Sequence, residues 1–299
     1  MASKHKNKTF QRAKGRIVRQ WREGPFFNLG ALIALVWSAT IFFAIIWGFN
    51  LSIMSNDEMM KNAHFFSQGQ AWDNYVKAFQ SLKVGDENYF KMFWNSIWFS
   101  TGATVMKLIS TVFFAYVMAR YEFPGRKFLY HLVIIQMMLP TYGQTAANYQ
   151  LLDSFGLVDS PLFLLAMGAG HGMFFLICYS YFQSLPHDYE ESARIDGCGY
   201  FRTFFQIMIP LAKPAIVTIG LLTFISCWND YQTTLLYLPH YRTLTSALFR
   251  FSEITMHSDV GTLPVYFAGI FLSSLPIVIL YICFNKTLME NTTIGGIKA

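Results

Sequence analysis

The amino-acid sequence predicts an all-α membrane protein with six transmembrane helices, and three observations predict it. Hydrophobic residues make up 54% of the 299-residue chain and charged residues only 13%, where a soluble chain carries about 25% charged. The charges are segregated into segments between long apolar runs. Those runs are long enough to cross a bilayer core of about 30 Å, which takes about 20 residues of helix. A barrel is excluded, because its strands alternate polar and apolar residues over only about 10 positions. A soluble helical bundle would need six core helices almost without a polar face.

The runs follow in order. Leu29 to Phe49, Phe128 to Leu152, Ser160 to Leu185 and Thr262 to Asn285 contain no Asp, Glu, Lys or Arg. Met92 to Met118 contains Lys107, and Ala215 to Leu238 contains Asp230. The third run is interrupted by Pro140 and the polar Thr141 to Gln144. The chain thus divides into a basic tail over residues 1–28, a membrane domain over 29–286 and a short tail over 287–299. The membrane domain includes a long polar loop, 51–91, and a second one, 186–214.

The formal charge of +6 comes from the first tail. Lys4, Lys6, Lys8, Arg12, Lys14, Arg16, Arg19 and Arg22 precede the first run. Retention on the cytoplasmic side explains them, so no nucleic-acid partner is expected, and the first run is expected to be a retained anchor in membrane lipid. With the N-terminus inside, sixteen of the 23 Lys and Arg residues fall on the cytoplasmic side. Both termini are therefore expected inside the cell membrane. Cys178, Cys198, Cys227 and Cys283 show no CxxC or Cys/His spacing, so no metal site is expected.

The loop 186–214 is longer than a connection between adjacent spans requires. Asp188 to Ile195 has helix formers, with Glu190 and Glu191 in the first turn. Gly197 and Gly199 break it. Tyr200 to Met208 resumes, with Phe201, Phe204, Phe205 and Met208 at helical spacing, and Pro210 and Pro214 are expected to end it. Two short helices meeting at a glycine form a protruding knob, and its apolar stripe is expected to meet protein.

Glu191-Ser192-Ala193, then Gly197 six residues after the glutamate, then Ile207-Met208-Ile209-Pro210 resembles the EAA loop of ABC importer permeases. Asp196 before the glycine matches, while Ser192 and Ile209 stand where the family has Ala and Leu. Ala115-Tyr116-Val117-Met118-Ala119-Arg120 with Phe123-Pro124-Gly125-Arg126 is similar to carbohydrate permeases of the maltose-system type. Met137 to Pro140, Phe155 to Ser160, Trp228 to Tyr231 and Thr293 to Ala299 are similar to them too. Asn285-Lys286 replaces that family's usual Gln-Arg before the tail.

The resemblance implies a binding-protein-dependent importer for a sugar or oligosaccharide, or for another polar solute such as a glycerol phosphate. It implies a second permease subunit, two ATPase subunits and an extracytoplasmic sugar-binding protein. Glu191, Ser192, Ala193, Asp196, Gly197, Phe201, Phe204, Phe205, Ile207 and Pro210 would meet the ATPase, as would Gly295, Gly296 and Lys298. ATP would bind the partner subunits; the chain itself has no G-x-x-x-x-G-K-[ST] and needs no cofactor. No Ser/Lys/His or paired-Asp arrangement suggests an intramembrane enzyme, and a channel would not need the knob.

Inside the spans, Trp228, Asn229, Asp230 and Tyr231 can line a sugar path or pack between helices. Lys107 lies about 20 Å from Arg120 and Asp230 about 22 Å from Ala215, a matching depth that suggests an ion pair; snorkelling is the alternative for Lys107. His171 reads as a hydrogen bond between helices.

The topology has a direct test. With the native cysteines removed, cysteine at Asn62 or Ser258 should react with an impermeant thiol reagent from outside. One at position 198 should react only after permeabilisation, and labelling there from outside would reverse the orientation.

Overall fold

The computed structural model describes residues 25–62, 66–67, 71–82, 87–139, 143–168, 172–257 and 263–292. Its helices are α1 (Pro25–Ser52), α2 (Asn56–Asn62), α3 (Asp73–Ser81), α4 (Tyr89–Arg120), α5 (Arg126–Met138), α6 (Gln144–Ser154), α7 (Phe163–Ala166) and α8 (Met173–Ser184). They continue with α9 (Asp188–Ile195), α10 (Tyr200–Thr203), a π turn (Phe204–Met208), α11 (Ile209–Asn229), α12 (Tyr231–Tyr237), α13 (Leu244–His257) and α14 (Leu263–Thr292). Among the described residues, four stretches are single helices long and apolar enough to cross a membrane: Phe27–Ser52, Tyr89–Arg120, Tyr200–Asn229 and Leu263–Phe284.

The third and fourth predicted runs are not single helices. The third breaks between α5 and α6. Leu139 leaves the helix with ψ 129°, the extended backbone that the residue before a proline adopts because the Pro140 ring crowds the helical alternative. Gly143 restarts the chain at φ 85°. The fourth breaks between α7 and α8, where Gly168, Gly170 and Gly172 fall within five positions and each costs about 1 kcal/mol of helix relative to Ala.

The fifth run is displaced. Its helix stops at Asn229, and Asp230 (φ −80°, ψ 89°) starts α12 by accepting a hydrogen bond from the Thr233 N–H at 3.0 Å. Nor do Pro210 and Pro214 end the loop's second arm. The helix runs unbroken from Tyr200 to Asn229, because the π turn re-registers the hydrogen-bond ladder just before Pro210 and α11 begins there. Pro210 sits where the π turn meets α11, and Pro214 is carried inside the helix.

Helix α4 is the mast of the molecule. Val112, Ala115, Tyr116, Met118 and Ala119 meet Phe175, Cys178 and Phe182 of α8 and Phe204, Met208 and Ile219 of the π turn and α11 in one buried cluster. A second cluster at the other end joins Leu82, Tyr89, Met92, Trp228, Leu244 and Ala247. That end is tied by polar bonds as well. Asn95 Nδ2 donates to the Arg242 carbonyl, and Ser96 Oγ accepts from the Leu244 N–H at 2.8 Å. His240 pairs with Asp159 through its ring Nδ1 and its backbone N–H. In contrast α1 buries none of its apolar window within the chain, as expected of a helix apolar all round in lipid.

Asp230 as a helix cap makes a distinguishable prediction. Asp230→Ala should cost about 1 kcal/mol, read as a lower thermal midpoint in detergent, while Asp230→Ser should stay near wild type. An ion-pair role would show the opposite, with serine no better than alanine.

Candidate functional site

The loop between α8 and α11 stands at the Arg120 end of α4, and its first arm has two faces. Helix α9 turns Glu190 and Ala193 inward, three residues apart, and leaves Glu191, Ser192 and Asp196 exposed. Three bonds close its end: the Asp196 N–H to the Ser192 carbonyl, the Gly197 N–H to the Arg194 carbonyl, and the Cys198 N–H to the Ala193 carbonyl. This is a Schellman motif, and it requires a left-handed residue. Gly197 supplies it at φ 75°. A Cβ there would meet nothing within 4 Å, so the requirement is conformational and not one of space within this chain.

The inward carboxylate meets the end of the mast. Arg120, with a side chain 1% exposed, places its Nε 3.7 Å from Glu190 Oε1, an ion-pair separation longer than a hydrogen bond. Its other nitrogens reach the Leu185 carbonyl at 2.8 Å and His187 Nδ1 at 3.1 Å. Tyr116 and Tyr121 hold hydroxyls 3.4 Å apart beside this pair. One buried guanidinium therefore grips the loop at three successive points. Cutting one side of such a pair leaves a buried charge uncompensated, at a cost of about 3 kcal/mol or more.

The second arm splits the predicted aromatic stripe. Thr203, Phe204 and Met208 are buried, and the Phe204 ring lies 4.8 Å from that of Tyr116 and 5.8 Å from that of Phe113. Phe204 is therefore a core residue of this chain and not a contact offered to a partner. Helical spacing accounts for the split: 204 and 208, four residues apart, share the buried face, and Phe201 and Phe205, also four apart, share the outer one. Ile207 is partly covered and Pro210 is exposed.

The outer surface of the knob is apolar. Ile195 is 86% exposed and Phe201 73%, and Tyr200 and Phe205 are exposed beside them. The Arg194 guanidinium sits over the Tyr200 ring at 5.6 Å. Contiguous exposed groups of this size on a polar loop mark contact surfaces.

The residues predicted for a solute path part company. Trp228 is 2% exposed, donates from Nε1 to the Ser273 carbonyl, and packs between Phe93 and Phe224, so its ring has no free face. Asn229 is exposed and its amide donates to the Ile225 carbonyl. Tyr231 stacks on Phe249 with ring centroids 4.5 Å apart. Lys107 does not pair with Asp230: its Nζ lies 3.7 Å from Cys227 Sγ, and Asp230 is committed to its cap. His171, Gly295, Gly296, Lys298 and the basic residues of the first tail lie outside the described residues.

Sequence reasoning missed Arg120, Glu190, His187, Ile195 and Tyr200. Adjacent carboxylates at 190 and 191 must point to different faces of a helix. The small Ala193, three residues from Glu190 and at the close-packed side, was the available signal for which one turns in.

Comparison with known proteins fits this geometry. Residues 111–288, more than half of the chain, match the family described as "Binding-protein-dependent transport system inner membrane component". The chain is 27% identical over 280 residues to "Diacetylchitobiose uptake system permease protein NgcG" of Streptomyces coelicolor, covering 91% of this chain and 89% of that protein. It is 30% identical over 230 residues to "Arabinooligosaccharides transport system permease protein AraQ" of Bacillus subtilis, covering 76% and 79%. A solved chain from a bacterial ABC transporter involved in the import of the acidic polysaccharide alginate superposes with a TM-score of 0.72 at 23% identity, over 87% of this chain and 95% of that one, and so shares its fold. The chain is a membrane transport permease and not an enzyme: it belongs to the binding-protein-dependent transport system inner membrane components.

Proposed function

We propose that this permease carries a sugar or oligosaccharide across the cell membrane of a prokaryote, and that the 186–214 loop docks it on a separate ATPase. The observation that carries the docking reading is the pairing of two features: an exposed apolar surface on the knob, and a buried Arg120 that ties the same knob to the end of α4. A surface that only bound a partner would not need the second. Relatives named for diacetylchitobiose, arabinooligosaccharides, galactooligosaccharides and maltodextrin support a carbohydrate.

In this reading the membrane is crossed six times. Four crossings are the unbroken helices, and two are broken ones, α5 with α6 and α7 with α8. Both termini and the knob lie on the cytoplasmic side. The pathway is completed by a second permease subunit, two ATPase subunits bind and hydrolyse ATP, and an extracytoplasmic binding protein delivers the sugar. Glu191, Ser192, Asp196, Phe201 and Phe205 form the exposed docking face, with Ile195 and Tyr200 added by the structure. Gly197 holds the two arms at their angle. The tail residues Gly295, Gly296 and Lys298 provide a second contact. Asn229 is the member of the Trp228 to Tyr231 group left open to a solute.

Gly197→Val places a branched side chain at a positive φ, costing about 1–3 kcal/mol of strain, and should swing the second arm. Sugar uptake in vesicles and sugar-stimulated ATP hydrolysis should both fall at least tenfold with normal membrane insertion. Glu191→Ala should weaken ATPase co-purification. Wild-type uptake and stimulation in Gly197→Val would refute the docking assignment. Arg120→Met should lower the thermal midpoint. Arg120→Met combined with Glu190→Leu should restore the midpoint, because no charge is left buried, but not sugar-stimulated hydrolysis. Restored stimulation would make the pair a packing feature only.

A further inference from the structure

Beside the middle of α4 lies a cleft of about 160 Å³, walled by α4, the start of α8, and α11. It holds groups that the packing of the chain does not use. Lys107 and Thr111, one turn apart on the same face of α4, both line it. Among the described residues the Lys107 amine makes one hydrogen bond, to the Cys227 sulfur at 3.7 Å. No described carboxylate lies within 4.0 Å of it.

Thr111 is 7% exposed, yet its hydroxyl makes no hydrogen bond to any described residue. Most threonines in these spans behave otherwise: Thr104, Thr218 and Thr223 each donate to the carbonyl four residues back. Ser226, an exposed residue on the cleft lining, adds a second hydroxyl with no hydrogen bond to any described residue, and Gly172 brings the uncapped N-terminus of α8 to the wall.

A lysine this deep is costly unless it faces a counter-ion or water. It lies about 20 Å along α4 from Arg120, well beyond the reach of its own stem. Asp230, which does not line the cleft, spends one oxygen on capping α12. Buried hydroxyls are normally satisfied. A lysine flanked by two hydroxyls, each able to donate, can hold an acceptor-rich anion, the lysine through its charge and the hydroxyls through donated hydrogen bonds.

We infer that this cleft is a binding site for the carboxylate of an acidic sugar, with Lys107 as its charge partner and Thr111 and Ser226 as hydrogen-bond donors. The inference deepens the proposed sugar function and rests on it. It places charge selection on this chain: a uronate-bearing solute is held in the pathway, while a neutral one lacks the ionic contact. The volume admits a carboxylate and part of one ring, not a whole oligosaccharide, so the remaining rings extend out of the cleft.

The test uses the full chain in lipid nanodiscs and two probes that differ only in charge, digalacturonate and its dimethyl ester. The acid should bind at least tenfold more tightly than the ester. Lys107→Met should abolish that preference, Lys107→Arg should keep most of it, and Thr111→Val should reduce acid binding severalfold. Equal binding of acid and ester, no binding of the acid, or an unchanged preference in Lys107→Met would each overturn the inference. An equal loss of both probes in Lys107→Met would also overturn it, by making the lysine a support for the helices. Because no ATPase takes part in this measurement, its outcome is separable from failure of the importer reading, which shows as absent ATPase co-purification.

Discussion

A backbone in lipid must satisfy its own hydrogen bonds, and the rest of this structure depends on that constraint. Helix α4 meets it with 32 consecutive helical residues. Several elements packed beside it are interrupted, at 139–143, between Ala166 and Met173 and at Asp230, and each interruption is closed locally or lies near α4. The Asp230 carboxylate closes the break between α11 and α12. The π turn keeps the chain helical through Pro210 instead of opening it. Where α7 and α8 are separated, both lean on α4. Leu164 of α7 sits so close to Gly102 that a Cβ there would approach it to 2.5 Å, and Phe175 is wholly buried against the Val112 to Ala119 segment. An unbroken helix is thus the price of having broken ones beside it.

The same helix explains why the knob is not a loosely attached loop. A turn between α8 and α11 needs no anchoring charge, and burying Arg120 and Glu190 costs desolvation that their attraction alone does not fully repay. The additional bonds to Leu185 and His187 offset part of that cost. They also make the position of α9 follow the end of α4, because all three anchors lie within six residues of the loop. The π turn adds a second, apolar tie through Phe204 on Tyr116. A displacement of the knob is therefore transmitted to α4 by an ion pair and an aromatic contact together. Neither tie stretches far before it breaks. Packed interfaces of this kind pass between discrete arrangements more readily than they bend.

Much of this organisation is legible in the sequence because its signals are local. Gly197 announces a left-handed helix end six residues after Glu191, and φ 75° is what the structure has there. Three of the four unbroken helices coincide with apolar runs, and the fourth, Tyr200–Asn229, is shifted toward the N-terminus of its run. What escaped was set by contacts far apart in the chain. Hydropathy weighs Pro140 and the glycines from 168 to 172 by their transfer cost, which is small, although their backbone effect is large. Grouping Phe204 with Phe205 in one stripe overlooked that adjacent helical residues face different ways, and Tyr116 and Phe113 on α4 are what make the Phe204 side the buried one. The pattern also could not tell Glu190 from Glu191, since the difference is made by Arg120, seventy residues upstream.

The two intramembrane charges show how depth alone misleads. Read from the sequence as ideal helices, Lys107 and Asp230 fall at matching depth, and a low-dielectric interior makes their attraction strong on paper. Yet α11 ends just before Asp230, and a helix that starts again at once needs an acceptor for its first N–H groups. A carboxylate one residue ahead of that start is already in place for the task, and Asp230 uses it to accept from the Thr233 N–H. The backbone's claim on Asp230 is the nearer one, and it wins. Lys107 is then left facing the cleft beside Thr111, with a thiol for company. An intramembrane charge left without a carboxylate partner is costly in a purely structural wall, and Lys107 instead lines a cleft that an acceptor from outside the chain could enter.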